Sequence, residues 1–96
     1  MKVGRQYLGK VIQLTWRDPG TQRVPLHQAL KGRDALAMWD EYGLVDDITD
    51  GVVRIIHSSG KDPGARDVDE IAYTVVDESL VEKIVVYEPV PEPRPA

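Results

Sequence analysis

The chain has no cysteine and no phenylalanine, and only two histidines. Without a thiol there is no disulfide, no thiolate nucleophile and no cysteine-based zinc or iron–sulfur site, a pattern that fits a reducing cytoplasm. Without Phe the apolar set falls heavily on Val and Ile, whose branched Cβ restricts them in helices and suits a pleated sheet. His27 and His57 lie too far apart for the short spacing of a metal pair. Gly60 and Gly64 lack the following helix and the Lys-Ser/Thr pair of a phosphate loop. No apolar run approaches the roughly 20 residues that cross a bilayer, and Met1-Lys2-Val3-Gly4-Arg5-Gln6-Tyr7 lacks the apolar stretch of a signal peptide. The expectation is a cytoplasmic protein without cofactor or metal.

What is present describes one folding unit. Ninety-six residues with 42% apolar and 29% charged side chains make an ordinary globular composition. The net charge of −4 conceals an asymmetry. Residues 1–33 hold seven basic side chains (Lys2, Arg5, Lys10, Arg17, Arg23, Lys31, Arg33) against Asp18 alone, and the remainder holds five basic against fifteen acidic. Either the two segments neutralise each other on folding, or the surface is two-faced, basic toward an anionic ligand and acidic toward a basic partner.

Alternation marks the strands. From Lys10 to Asp18, Ile12, Leu14 and Trp16 share one side, and Pro19-Gly20 ends the run. Thr21 to Arg33 reads as a long loop punctuated by Pro25 and Gly32. Asp34 to Asp40 suits either a short helix capped by Asp34 or the start of a strand. Tyr42 to Ile48 alternates again, with Tyr42, Leu44 and Ile48 on one side and Val45 opposite. Asp50-Gly51 then predicts a tight hairpin, because both central residues of a type I′ turn need positive φ. Val52 to Ser58 forms its second strand, with Val53, Ile55 and His57 on one face. After a polar connection, Ile71–Val76 and Ile84–Glu88 complete five strands, with one helical turn between them carrying Leu80 inward. Proline at 89, 91, 93 and 95 predicts an extended, mobile tail over residues 89–96 beyond a domain of residues 1–88.

Five short antiparallel strands leave exposed edges unless the sheet closes, so a small barrel is expected. Val11-Ile12-Gln13-Leu14-Thr15-Trp16-Arg17-Asp18, Tyr42-Gly43-Leu44-Val45-Asp46-Asp47, and Tyr73-Thr74-Val75-Val76-Asp77-Glu78-Ser79-Leu80-Val81 with Ile84-Val85-Val86 resemble the SH3-like and Sm-like barrels encoded in bacteriophage genomes. The resemblance covers about two thirds of the chain and implies a fold and a phage origin. It carries over no functional residue.

The acidic stretch Asp46-Asp47-Ile48-Thr49-Asp50-Gly51 departs from a calcium loop at Ile48 and again at His57, where a bidentate Glu would stand, so it reads as a hairpin turn. Asp62, Asp67, Asp69 and Glu70 read as a solvated loop. His57 and Ser58 point to opposite faces of a strand and make poor catalytic partners. Trp16 and Tyr7 among basic residues suggest a nucleic-acid platform, but the acidic remainder opposes a phosphate backbone. The first functional expectation is a non-enzymatic binding protein, such as a phage inhibitor of a host protein. Its contact set is Trp39, Asp40, Glu41, Tyr42, Asp46, Asp47 and Asp50, facing a basic partner. The alternative is a binder of an anionic nucleotide-like ligand through Arg17, Arg23, Lys31 and Arg33, in a pocket between subunits of a homo-oligomer or under the long loop.

Overall fold

A computed structural model describes residues 1–61, 63–64, 66 and 70–88. The expected tail and most of the second acidic cluster, Asp62, Asp67 and Asp69, lie outside the described residues. The fold is mainly β. Five strands, β1 (Val11–Asp18), β2 (Ala37–Thr49), β3 (Val52–Gly60), β4 (Glu70–Asp77) and β5 (Val81–Tyr87), form one antiparallel sheet in the order β4-β3-β2-β1-β5. Among the described residues the helical pieces are four 3-10 turns: Arg5–Tyr7, Leu26–Gln28, Gly32–Ala35 and Glu78–Leu80.

The sheet is open, which corrects the expectation of a barrel closed by hydrogen bonds: β4 and β5 are its two edges and share no ladder. It must nonetheless curl. In a flat sheet five strands wide the edges stand about 19 Å apart, whereas a three-residue turn advances only about 6 Å at its 3-10 rise. Glu78–Leu80 is such a turn, and it joins one edge directly to the other. Val76 before it and Val81 after it are both buried, and Leu80 packs against the core.

Curvature is supplied where the register slips. Irregularities fall on β5, where Glu82 is extra opposite Thr15 and Trp16, on β2, where Asp46 is extra between Val45 and Asp47, and on β3, where His57 is extra between Ile56 and Ser58. Extra residues of this kind bend a strand and sharpen its twist. Gly43 adds a close approach. A Cβ there would stand 2.3 Å from the carbonyl oxygen of Ile56 and 2.8 Å from Cγ2 of Ile55.

The bulge at Asp46 also overturns part of one sequence expectation, the placing of Ile48 with Tyr42 and Leu44. Val45 is fully buried, opposite Ile55, and Tyr42 and Leu44 lie on the other face, exposed, as the alternation has them. Ile48, one residue further along after the slip, lies opposite Val53 and packs against the same core as Val45. Period-two reading fails at a bulge because the extra residue shifts every later side chain to the other face. The hairpin turn meets expectation, with Asp50 at φ 54° and Gly51 at φ 75°.

The core consists of Val3, Ile12, Leu14, Val45, Val53, Ile55, Val76 and Val81, flanked by Tyr7, Leu8, Trp16, Ile48, Leu80 and Ile84. Glu78 ties its open end together. Its carboxylate accepts from the Val3 amide at 2.8 Å, and its own amide donates to the Gly51 carbonyl at 2.8 Å. Asp77 caps the turn by accepting from the Ser79 amide at 2.9 Å.

Gly43→Ala is expected to cost about 2–3 kcal/mol, because the clashing atom is a carbonyl held in the β2–β3 ladder and cannot step aside. Gly9→Ala, at φ 76° in open space, should cost only about 1–2 kcal/mol of backbone strain. Urea unfolding of the two variants checks the order, and equal losses would mean that the Gly43 contact relaxes.

Candidate functional site

Register places the contact residues expected from the sequence on two different faces. Residues directly opposite each other in a ladder share a face. Ile12 stands opposite Gly43, Leu14 opposite Glu41 and Trp16 opposite Trp39, so Trp39 and Glu41 belong to the inner side of the curl. Asp40 and Tyr42 lie on the outer side with Thr15 and Gln13 opposite them. Asp50 sits at the hairpin tip. The seven residues therefore do not form one patch.

Several of these carboxylates are engaged within the fold. Asp46 receives a two-pronged contact from Arg54, Nε to Oδ1 at 2.8 Å and Nη2 to Oδ2 at 2.6 Å. That guanidinium holds the Asp46 carboxyl below its ordinary value of 3.8. Arg54 lies 5.7 Å from the centre of the Tyr73 ring, so the acid, the cation and the aromatic form one chain on the outer face. Asp47 accepts from the Thr49 hydroxyl, and Asp40 accepts from the Thr15 hydroxyl at 2.6 Å. Glu41 accepts from the indole of Trp16 at 3.3 Å and lies 3.3 Å from His57 Nε2.

His57 completes that inner network, which sequence reasoning missed. Its Nδ1 is 2.6 Å from the carbonyl oxygen of Tyr42, and its Nε2 is 2.7 Å from the Thr74 hydroxyl. A carbonyl only accepts, so Nδ1 carries the proton and Nε2 in the neutral ring accepts from Thr74. His57 on the face of Val53 and Ile55 was legible in the alternation. Its partners come from β2 and β4 across two register slips and were not.

The basic residues do not converge either. Arg17 and Arg33 both pair with Glu82, which holds that carboxyl below its ordinary value of 4.5, with Arg33 as the larger cause. Arg23 and Lys31 lie on the exposed loop between β1 and β2. Among the described residues no three His, Asp or Glu side chains group as a metal site. No helix among them is long and apolar enough to cross a membrane. A shallow cleft of about 310 Å³ lies along the β3–β4 hairpin, lined by Ser58, Ser59, Gly60, Lys61, Glu70, Ile71 and Ala72.

The outer face carries a feature of a different kind. Val11 stands opposite Tyr87 on β5 and Leu44 on β2; Leu44 stands opposite Ile56, and Ile56 opposite Tyr73 on β4. One transverse row of apolar and aromatic side chains thus crosses all five strands. Tyr87, Val11, Leu44 and Tyr73 are exposed, and Ile56 is half-buried. Tyr42 on β2 and Val75 on β4, also exposed, widen the row by one residue pair along the strands. The signal was present in the sequence as Val11, Leu44 and Tyr73, but the row emerges only once the strand order and register bring them side by side.

Because the folded Asp46 carboxyl titrates below its ordinary value, the pair's contribution is fully present above about pH 4 and is lost as pH falls through the depressed value. Asp46→Asn should therefore lower the urea midpoint at pH 7 by less than a core truncation does. The difference from wild type should shrink on acidification below pH 3.8. A difference that stayed constant down to pH 2 would mean the loss comes from Asn packing and not from the charge.

No family model matches the chain, and neither a curated protein nor a solved structure matches it.

Proposed function

We propose that this chain is a protein-binding module, without catalysis of its own, whose contact surface is the outer face of the sheet. The observation that carries this reading is the uninterrupted row Tyr87, Val11, Leu44, Ile56 and Tyr73 across five strands. Monomeric proteins rarely leave a contiguous apolar strip of this kind in water, and aromatic anchors dominate binding energy at interfaces. Tyr73 is held in place by Arg54, itself gripped by Asp46, so the anchor is ordered before binding and loses little entropy on contact.

The charges around the row suit a basic partner. Among the described residues Asp40 and Asp47 form no ion pair, and both lie on β2 beside Tyr42 and Leu44. Rim charges of this type steer encounter more than they hold the complex. Asp46 and Glu41, both engaged internally, act as supports in this reading and not as contacts. The strand order, with both edges joined by the Glu78–Leu80 turn, supports treating the curled sheet as a small SH3-like or Sm-like barrel with its seam between β4 and β5. The anionic-ligand alternative is weaker, because two of its four cations already neutralise Glu82.

Capture from a lysate, compared between wild type and Leu44→Ser with Tyr73→Ser, tests the reading. A partner retained by wild type and lost by the variant, with an unchanged circular dichroism spectrum, is the expected result. Asp40→Asn with Asp47→Asn should then slow association several-fold and flatten its salt dependence. A partner held equally by the double-serine variant overturns the assignment. So does a co-purified nucleotide released by Arg23→Ala with Lys31→Ala.

A further inference from the structure

The outer row is not the only apolar surface left uncovered. Between β1 and β2 the chain makes a long arm in which every residue from Pro19 to Asp34 is exposed. Its tip carries three aliphatic side chains in the open, with Leu26 at 91% and Leu30 at 65% exposure alongside Val24. The tip is shaped even so. Pro25 precedes the 3-10 turn Leu26–Gln28; the Pro25 carbonyl accepts from the Gln28 amide at 2.9 Å and the Leu26 carbonyl from the Ala29 amide at 3.2 Å. The base is pinned as well: Gln22 Nε2 donates to the Ala35 carbonyl at 3.0 Å, Arg17 reaches the Leu36 carbonyl at 3.4 Å, and Arg33 pairs with Glu82.

Those pins decide what the tip can touch. Leu26 is four residues beyond Gln22 and can stand at most about 14 Å from it. The Val11–Leu44 pair lies seven residues down the strands from Asp18 and Ala37, about 23 Å away. The arm's base thus lies at the end of β1 and β2 remote from the Val11–Leu44 pair, whereas a second chain can approach the row from any direction.

The chemistry of the two surfaces is complementary. Arg23, His27 and Lys31 surround Val24, Leu26 and Leu30, and no acidic residue occurs between Asp18 and Asp34. The outer face offers aliphatic and tyrosine side chains with Asp40, Asp47 and Asp77 against Lys83, the Arg54 guanidinium there being paired with Asp46. We infer that the arm tip, Arg23 to Lys31, docks on the outer row of a second copy of this chain, and that two copies exchange arms reciprocally. The inference rests on the outer face being a docking surface, and it names an apolar, basic segment that fits there. Each copy has one arm and one face, so a two-fold axis satisfies both at once. One arm on one face is a small contact, and the doubled contact is what brings the total toward the roughly 1,000 Å² that a specific interface needs. A foreign partner of the same chemistry would then compete with the arm.

Sedimentation velocity over a concentration series reaching about 500 µM tests this, since interfaces of modest area span weak to tight affinities. Wild type should pass from monomer to dimer. The arm variant Leu26→Ser with Leu30→Ser and the face variant Leu44→Ser with Tyr73→Ser should each weaken the dimer by about tenfold or more. The two variants mixed should dimerise more tightly than either alone, because the mixed pair keeps one intact arm–face contact. Circular dichroism of each variant confirms that the sheet is retained. The inference is overturned if wild type stays monomeric throughout, if mixing restores nothing, or if the arm variant dimerises like wild type while the face variant does not. That last result would mean face-to-face association and would leave the docking surface itself standing. Loss of partner capture by the face variant in a strictly monomeric protein would likewise separate the two readings.

Discussion

A turn of three residues joins the two edges of a five-stranded sheet, and most of the structure follows from that shortness. Glu78, Ser79 and Leu80 cannot bridge the width of a flat sheet, so the sheet curls until its edges approach at this end. Curling gives the chain an interior without a second layer. Val76 and Val81, on either side of the turn, enter the same core as Ile12, Leu14 and Ile55 from the central strands. Glu78 then uses the approach, since its amide and carboxylate reach the hairpin turn and the N-terminal segment at once.

Bending the sheet requires local faults, which fall on β2, β3 and β5 and have chemical consequences. The slip after Val45 leaves Asp46 beside Arg54, which is why that carboxylate is paired on the sheet surface instead of standing at a solvated loop. Where β2 and β3 cross closely, Gly43 removes the one side chain that would obstruct the Ile56 carbonyl. Past the end of the aliphatic core the inner face turns polar, where the Trp16 indole donates to Glu41 and the Thr74 hydroxyl pairs with His57. Among the described residues no buried side-chain nitrogen or oxygen lacks a partner, as expected if the network closes the end of the core without an unpaired group.

Local patterns were legible in the sequence and non-local ones were not. The alternation of Ile12, Leu14 and Trp16, the Asp50-Gly51 turn and the inward Leu80 each depend on a few neighbouring residues, and each stands as read. Tyr42 and Leu44 do lie opposite Val45, but Ile48 was grouped with the first two and instead joins the core, because a bulge has no signature in composition or spacing. Strand β5 begins at Val81, three residues before Ile84, since Glu82 and Lys83 look like turn residues until Glu82 is seen gathering Arg17 and Arg33. The charge asymmetry was visible, but not which charges cancel. Pairs separated by 49 and 65 residues cannot be read from counts along the chain.

The aromatic residues are placed mainly on the surface and contribute little to the core. A buried tyrosine or tryptophan removes some 150–250 Å² from water, far more than valine, and a chain without Phe has few such side chains to place. Yet Tyr42, Tyr73 and Tyr87 are all exposed on the outer face, and the fully buried positions are filled by Ile, Leu and Val. Tyr87 is oriented there by donating to Gln13 at 2.9 Å, and Tyr73 lies under Arg54. Ordering large side chains at the surface costs conformational entropy and returns little area to the core. In the binding-module reading proposed above, that cost is recovered when another molecule covers the face, and the exposed leucines of the arm are the part of this same chain with the matching need.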